Sequence, residues 1–241
     1  MIDLFARAPA RGEAPVLLAR EPGFALKVSR PGDGSLVPPG QGQLLIPLRG
    51  RLSIEERSRG DTKVTQTNRA DRRGSIGPGQ LWRIPNDAAW RMTGDDAVVL
   101  QIATSVPRQE PRVSDLFGPL RLPMAPRMEF ANEALRVETS TGRTRLPGLG
   151  WVPWSHRAEG VEYAVGLAGS WRVALRGETP WTGSLDAGTL LRIPPGVPHH
   201  VSARTTLRAS VGLILTSLRR TPEGPVRKEA VQGFSPFVDR G

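Results

Sequence analysis

The sequence predicts an all-β protein assembled from two related halves. Three observations carry that expectation: short apolar runs of about five to eight residues that alternate with polar ones, 27 glycines and 23 prolines that punctuate them, and a motif that recurs further along the chain. With 241 residues the chain can bury a sizeable core as one large β domain or two modest ones. Helix is expected to be scarce.

Along the chain, QLLIPLRGRLSIEE puts Leu44, Ile46, Leu48, Leu52 and Ile54 on one parity, the alternation of a strand with one buried face. SWRVALRG does the same with Trp171, Val173 and Leu175, and VGLILTSL with Val211, Leu213 and Leu215. VEYAVGLA is apolar on both parities, as in a strand covered on both faces. Its small set, Ala164, Gly166 and Ala168, is expected to line a cavity, and its large set, Tyr163, Val165 and Leu167, to pack against the other half or a partner subunit in a homodimer.

The repeat divides the chain. GQLWRIPNDAAW (79–90) aligns with GTLLRIPPGVPH (188–199) at an offset of 109, pairing Gly79 with Gly188, Leu81 with Leu190, Arg83 with Arg192, Ile84 with Ile193 and Pro85 with Pro194. LKVSRPGDGS lies over LRVETSTGRT at the same offset, and DLF occurs at Asp3–Phe5 and again at Asp115–Phe117. Two domains, 1–112 and 113–241, are expected. Gly50 and Gly169 also correspond, but 29 positions separate Gly50 from Gly79 and only 19 separate Gly169 from Gly188. The first half therefore carries a longer hairpin, with ERSRGDTKVTQTNRADRRG as its exposed charged tip. Because Arg192 has its match in Arg83, a structural salt bridge is expected of it rather than substrate binding.

Composition excludes several functions. There is no cysteine, hence no disulfide framework, cysteine nucleophile or Cys-type zinc site. No apolar run approaches the roughly eighteen residues of a membrane span and the N-terminus does not read as a secretory signal, so a cytoplasmic location and no membrane partner are expected. The net charge of +10 raises the question of nucleic acid. Yet the basic residues are nearly all arginines scattered among acids, Lys27, Lys63 and Lys228 being the only lysines, and no nucleic-acid-binding motif accompanies them. The clusters Arg69, Arg72, Arg73 and Arg219, Arg220, Arg227, Lys228 are expected to be solvated, and a nucleic-acid partner is not expected.

Two of the three histidines are adjacent in GTLLRIPPGVPHH (188–200), and the third is His156. Gly188, Pro194, Gly196 and His199 stand at the spacing of the second conserved motif of the cupins, with Ala203 where that motif ends in Asn; Gly148, His156, Glu162 and Gly169 follow the first motif, with Trp154 in place of its first His and a longer gap before Glu162. The chain thus resembles a bicupin, two tandem jelly-roll (double-stranded β-helix) barrels. In the first half Trp90 stands where the second-motif His belongs and Gln43 where the Glu belongs. That half is expected to have lost its metal site, with Trp90 filling the space.

The resemblance implies one metal site, formed by His156, Glu162 and His199. Two imidazoles and a carboxylate suit a divalent Fe, Mn, Ni, Co or Zn ion and leave coordination positions open. Trp154 and His200 are candidate substrate-binding residues; His200 could replace His199 as ligand, but strand alternation favours His199. The implied function is a metal-dependent enzyme of dioxygenase, isomerase or lyase type acting on a small oxygen-rich organic molecule. A non-catalytic small-molecule binder or sensor, and a structural bicupin without metal, stand as alternatives.

Overall fold

The computed structural model describes residues 1–33, 35–40, 42–57, 73–86, 89–106, 112–117, 127–141, 145–146, 150–151, 155–156, 158–203 and 211–218. The fold is all-β. One four-residue helix, Leu4–Arg7, is the only helix among them, and none is long and apolar enough to cross a membrane. The tip of the long hairpin and both arginine clusters, apart from Arg73, lie outside the described residues; the hairpin's stems are present, with Leu52 opposite Ile76 and Glu55 opposite Arg73.

Among the described residues every strand pairing is antiparallel. The first-half sheet runs Val16–Glu21, Phe24–Ser29, Ala89–Thr104, Gly42–Arg57, Gln80–Ile84 and Arg112–Asp115 in spatial order, with Ser35–Val37 added to Ala89–Thr104 and Arg73–Ile76 to Gly42–Arg57. In the second half a six-stranded sheet runs Ile2–Asp3, Thr189–Ile193, Glu162–Ala168, Val211–Ser217, Leu135–Thr141 and Arg127–Ala131. A four-stranded sheet runs Ser155–His156, His199–Ala203, Ser170–Leu175 and Trp181–Asp186.

Three apolar cores follow from strand parity. The largest draws on both halves, bringing Phe24, Leu44, Ile46, Leu100 and Ile102 against Tyr163, Val165, Leu190, Leu213 and Leu215. A second, confined to the first half, contains Leu45, Leu52, Ile54, Trp82, Ile84, Trp90 and Met92. The third lies in the second half and contains Ala164, Trp171, Val173, Leu185, Leu191 and Ile193. The first half, rather than solvent, thus covers Tyr163 and Val165, and Leu167 packs against the same core.

Two sequence expectations are corrected here. Leu44, Ile46, Leu48, Leu52 and Ile54 do not serve one face: the first three belong to or pack on the shared core, and the last two lie in the first-half core. The register shifts twice between Pro47 and Arg51, and Gly50, at φ +69°, turns the corner where any Cβ would collide with the carbonyls of Asp95 and Asp96. Gly169, at φ +68°, ends the matching strand of the second half. The small row of VEYAVGLA does not leave a cavity at Gly166, because a Cβ there would stand 2.2 Å from the Asp186 carbonyl oxygen. Gly166 is small because another stretch of backbone passes over it, and Ala164 is packed into the third core.

The two DLF segments clasp the halves reciprocally. Ile2–Asp3 pairs with Thr189–Ile193 of the second half, while Arg112–Asp115 pairs with Gln80–Ile84 of the first. In each, the Asp side chain accepts the N–H of the Phe two residues on, at 2.8 Å for Asp3 and 2.9 Å for Asp115. The Leu N–H donates to a glycine carbonyl, Leu4 to Gly188 at 2.8 Å and Leu116 to Gly79 at 2.7 Å, and both leucines are fully buried. Each Phe ring then covers that left-handed glycine, so closely that a Cβ on Gly188 would fall 2.0 Å from Phe5 and one on Gly79 2.3 Å from Phe117. The aligned arginines complete the symmetry: Arg83 donates to the backbone carbonyl of Glu129, and Arg192 lies 3.8 Å from the carboxylate of Glu21. Arg192 is thus the structural ion pair expected of it. The Tyr163 hydroxyl donates to the same Glu21 carboxylate.

Candidate metal centre

Three strands converge on Glu162. It opens the strand Glu162–Ala168, opposite Ile193 on one side and Thr216 on the other. His199 is delivered by the proline–glycine turn before it: Gly196 takes φ +72°, its N–H donates to the Ala158 carbonyl at 2.8 Å, and the strand His199–Ala203 begins two residues after Val197. The backbone conformation at Gly196 is one that only glycine adopts without strain.

The outcome is a buried polar cluster at the margin of an apolar core. His199 Nε2 lies 2.9 Å from Glu162 Oε2, with both side chains 1% exposed. The atoms stand at hydrogen-bonding distance, and this short separation couples their charges. His199 Nδ1 stands 3.0 Å from the Val197 carbonyl. A carbonyl only accepts, so Nδ1 carries a proton and the neutral ring presents the Nε2 lone pair toward Glu162. On the other side of the carboxylate the Thr216 hydroxyl donates to Glu162 Oε1 at 3.1 Å. Burial by itself pulls the His199 pKa down; hydrogen bonding to Glu162 and to the Val197 carbonyl, with the charge of Glu162, outweighs it and leaves the imidazole above its ordinary 6.5.

These residues fit a divalent ion. Two donors each about 2.1 Å from one ion and at right angles to it stand about 3 Å apart, the separation of Nε2 and Oε2. The supporting contacts are also those a ligand set needs, because an imidazole ligand is oriented by donating its other N–H to a carbonyl and a carboxylate ligand by accepting a hydrogen bond.

The register places the backbone of His156 directly opposite His199, and Ser155 opposite His200. The side chain of His156, and Trp154 altogether, lie outside what the structure describes. His200 is half-buried and pairs with Ala174, one step out of phase with His199, so alternation puts the two neighbouring histidines on opposite faces. No cluster of three ligand-type side chains occurs among the described residues. Glu159, just before this strand, is exposed.

The first half supplies the comparison. Gln43 sits opposite Ile84 as Glu162 sits opposite Ile193, and Ala103 sits opposite Gln43 as Thr216 does opposite Glu162. Trp90 sits opposite Val37 as His199 sits opposite His156. So Val37, Gln43, Trp90 and Ala103 occupy the places of His156, Glu162, His199 and Thr216. Trp90 is fully buried in the first-half core, its ring 6.4 Å from Trp82 at 65°. It fills the interior as the sequence suggested. Thr216 escaped that reading, although its signal was present: it is the polar member of a row, with Gly212 and Ile214, that otherwise faces the third core.

No protein-family model matches the sequence, and no curated protein does. Among solved structures, the chain is similar to a Cupin 2 conserved barrel domain protein from Leptotrichia buccalis, with 14% identity over 90% of this chain and 95% of that one and a TM-score of 0.64. This is a cupin fold. Two further cupin-fold comparisons agree: a protein described as glyoxylate-induced from Pseudomonas aeruginosa (13% identity, 86% of this chain and 81% of that one, TM-score 0.58) and the protein Ylba from E. coli (10%, 86% and 84%, 0.54). At these identities the likeness is one of fold. What the site does has to be argued from its own residues.

Proposed function

We propose that this cupin-fold chain consists of two tandem barrels, 1–112 and 113–241, and that the second holds one divalent metal ion through Glu162 and His199, with His156 as third ligand. The observation that carries this reading is the buried Glu162–His199 pair, braced by Thr216 and the Val197 carbonyl, at positions where the first half has Gln43, Trp90 and Ala103. A bound Fe, Mn, Ni, Co or Zn ion would supply Lewis acidity, or an oxygen-activating centre, toward a small oxygen-rich molecule that chelates it. Glu162 contributes the negative charge that offsets the ion, and His199, with its Nδ1 proton fixed on Val197, contributes a neutral lone pair. Trp154 and His200 remain the proposed substrate-facing residues. The reaction is of dioxygenase, isomerase or lyase type. For the first half the apolar replacements support a structural role.

Metal analysis of tag-free protein, dialysed and then reloaded with each of the five ions, tests the proposal. About one ion per chain, absent from His199→Ala, is the expected result. No ion retained under any loading would leave a ligand-binding or structural protein.

A further inference from the structure

Glu162 has two oxygens, and the cluster treats them differently. Oε2 faces His199 at 2.9 Å, while Oε1 accepts a hydrogen bond from the Thr216 hydroxyl at 3.1 Å. All three side chains are buried, Thr216 to 4% exposure, so water does not easily replace the hydroxyl as donor. Thr216 lies directly opposite Glu162 across the strand pair, so its contact is set by register rather than by a loop. Its row makes the hydroxyl conspicuous: Leu213 and Leu215 on the other parity enter the shared core, and Ile214 on the same parity packs on the second-half core. Nothing in packing calls for a polar residue there. In the first half, where the carboxylate is replaced by Gln43, the equivalent residue is Ala103, buried and without a hydroxyl. The hydroxyl occurs where the carboxylate occurs and is missing where it is missing.

We propose that Thr216 is a positioning residue for the metal ligand Glu162: by holding Oε1 it fixes the carboxylate in the orientation that presents Oε2, beside His199 Nε2, as a single-oxygen ligand. This rests on the metal site proposed above. Without the hydroxyl, buried Oε1 loses the Thr216 donor, which opposes a fixed ligand geometry.

The test uses the full chain with Co(II) as probe, in wild type, Thr216→Ser and Thr216→Val. Co(II) affinity by titration and the visible absorption spectrum of the bound ion are the two readouts, with thermal unfolding of the metal-free proteins as the check on folding. Thr216→Val keeps the shape and loses the hydroxyl; the expected result is an affinity about 10- to 100-fold weaker and an altered spectrum. Thr216→Ser, which keeps the hydroxyl, should restore both to near wild type. If Thr216→Val does not fold, Thr216→Ala, the residue the first half carries, takes its place in the same ordering. Equal affinity and spectrum for Val and Ser, with wild type binding Co(II), would overturn the positioning role and leave the metal site standing. Wild type that binds no Co(II) would overturn the metal site itself.

Discussion

At the proposed metal site proton and metal compete for one nitrogen, and that competition has a calculable signature. Because the folded pKa of His199 lies above its ordinary 6.5, the protonated His199–Glu162 pair contributes its stability in full below that value and loses it as pH rises through the folded pKa. A metal ion needs the same Nε2 unprotonated, so its binding strengthens as pH rises through that window. At a metal concentration about 100 times the dissociation constant, binding adds about 2.7 kcal/mol to stability, which raises Tm by roughly 5–11 °C for a chain of this size. Each pH unit below the folded pKa weakens apparent affinity about tenfold, or about 1.4 kcal/mol, and removes roughly 3–6 °C of that gain while metal remains in excess. The assay is thermal unfolding with and without Mn(II) or Co(II) across a pH series. Glu162→Gln should show no gain at any pH, since it loses the ligand charge while keeping the shape. A gain that is constant with pH, or that persists in Glu162→Gln, would refute the assignment of the ion to this pair.

Three other expectations follow from the fold. Leu4→Ala and Leu116→Ala should each cost about 2–5 kcal/mol in urea unfolding followed by tryptophan fluorescence, because both leucines are fully buried at equivalent places in the shared core; a full cost for one and almost none for the other would break the reciprocity of the two clasps. Tyr163 is the only tyrosine, and burial, then its hydrogen bond to Glu21, push its pKa well above 10.0. Its native form is therefore favoured below pH 10 and loses stability as pH climbs beyond it, so near-ultraviolet absorbance should show tyrosinate only well above pH 10 or together with unfolding; a midpoint near 10 in the folded protein would contradict the contact. Gly166→Ala should cost at least about 1–3 kcal/mol, since its methyl would meet the Asp186 carbonyl at 2.2 Å, whereas Gly177→Ala, with nothing within 4 Å, should leave the melting curve almost unchanged.

Most of the architecture was legible because parity and repeats are local signals. The offset of 109 that aligns Gly79 with Gly188 also aligns the strands Gln80–Ile84 and Thr189–Ile193, and Trp90 was recognisable as core filling once it fell on the position of His199. What parity could not reveal is where a strand turns a corner: Leu44 and Leu52 share a parity yet lie in different cores, because the register shifts around Gly50 depend on the carbonyls of Asp95 and Asp96 far along the chain. Gly166 misled for a related reason. Small size reads as open space in a sequence, but it equally marks a place where another stretch of backbone passes close by. Thr216 lay beyond motif reasoning, since its role depends on facing Glu162 across 54 residues.

The two halves together act as an internal control. They share strand register, the covered glycines, the reciprocal DLF clasps and the arginines that reach across the interface, so the features common to both are those the fold requires. At the site itself they differ in four positions: His156, Glu162, His199 and Thr216 in one half, Val37, Gln43, Trp90 and Ala103 in the other. The first-half set shows that such an interior can be closed with apolar and neutral groups, burying Trp90 completely. Burying a carboxylate costs several kcal/mol unless it is well compensated, and a stable fold could have been reached without it. The second half nonetheless buries Glu162 and braces both it and His199 with hydrogen bonds that fix their orientation. Stability alone does not account for that arrangement, and the metal site proposed above would.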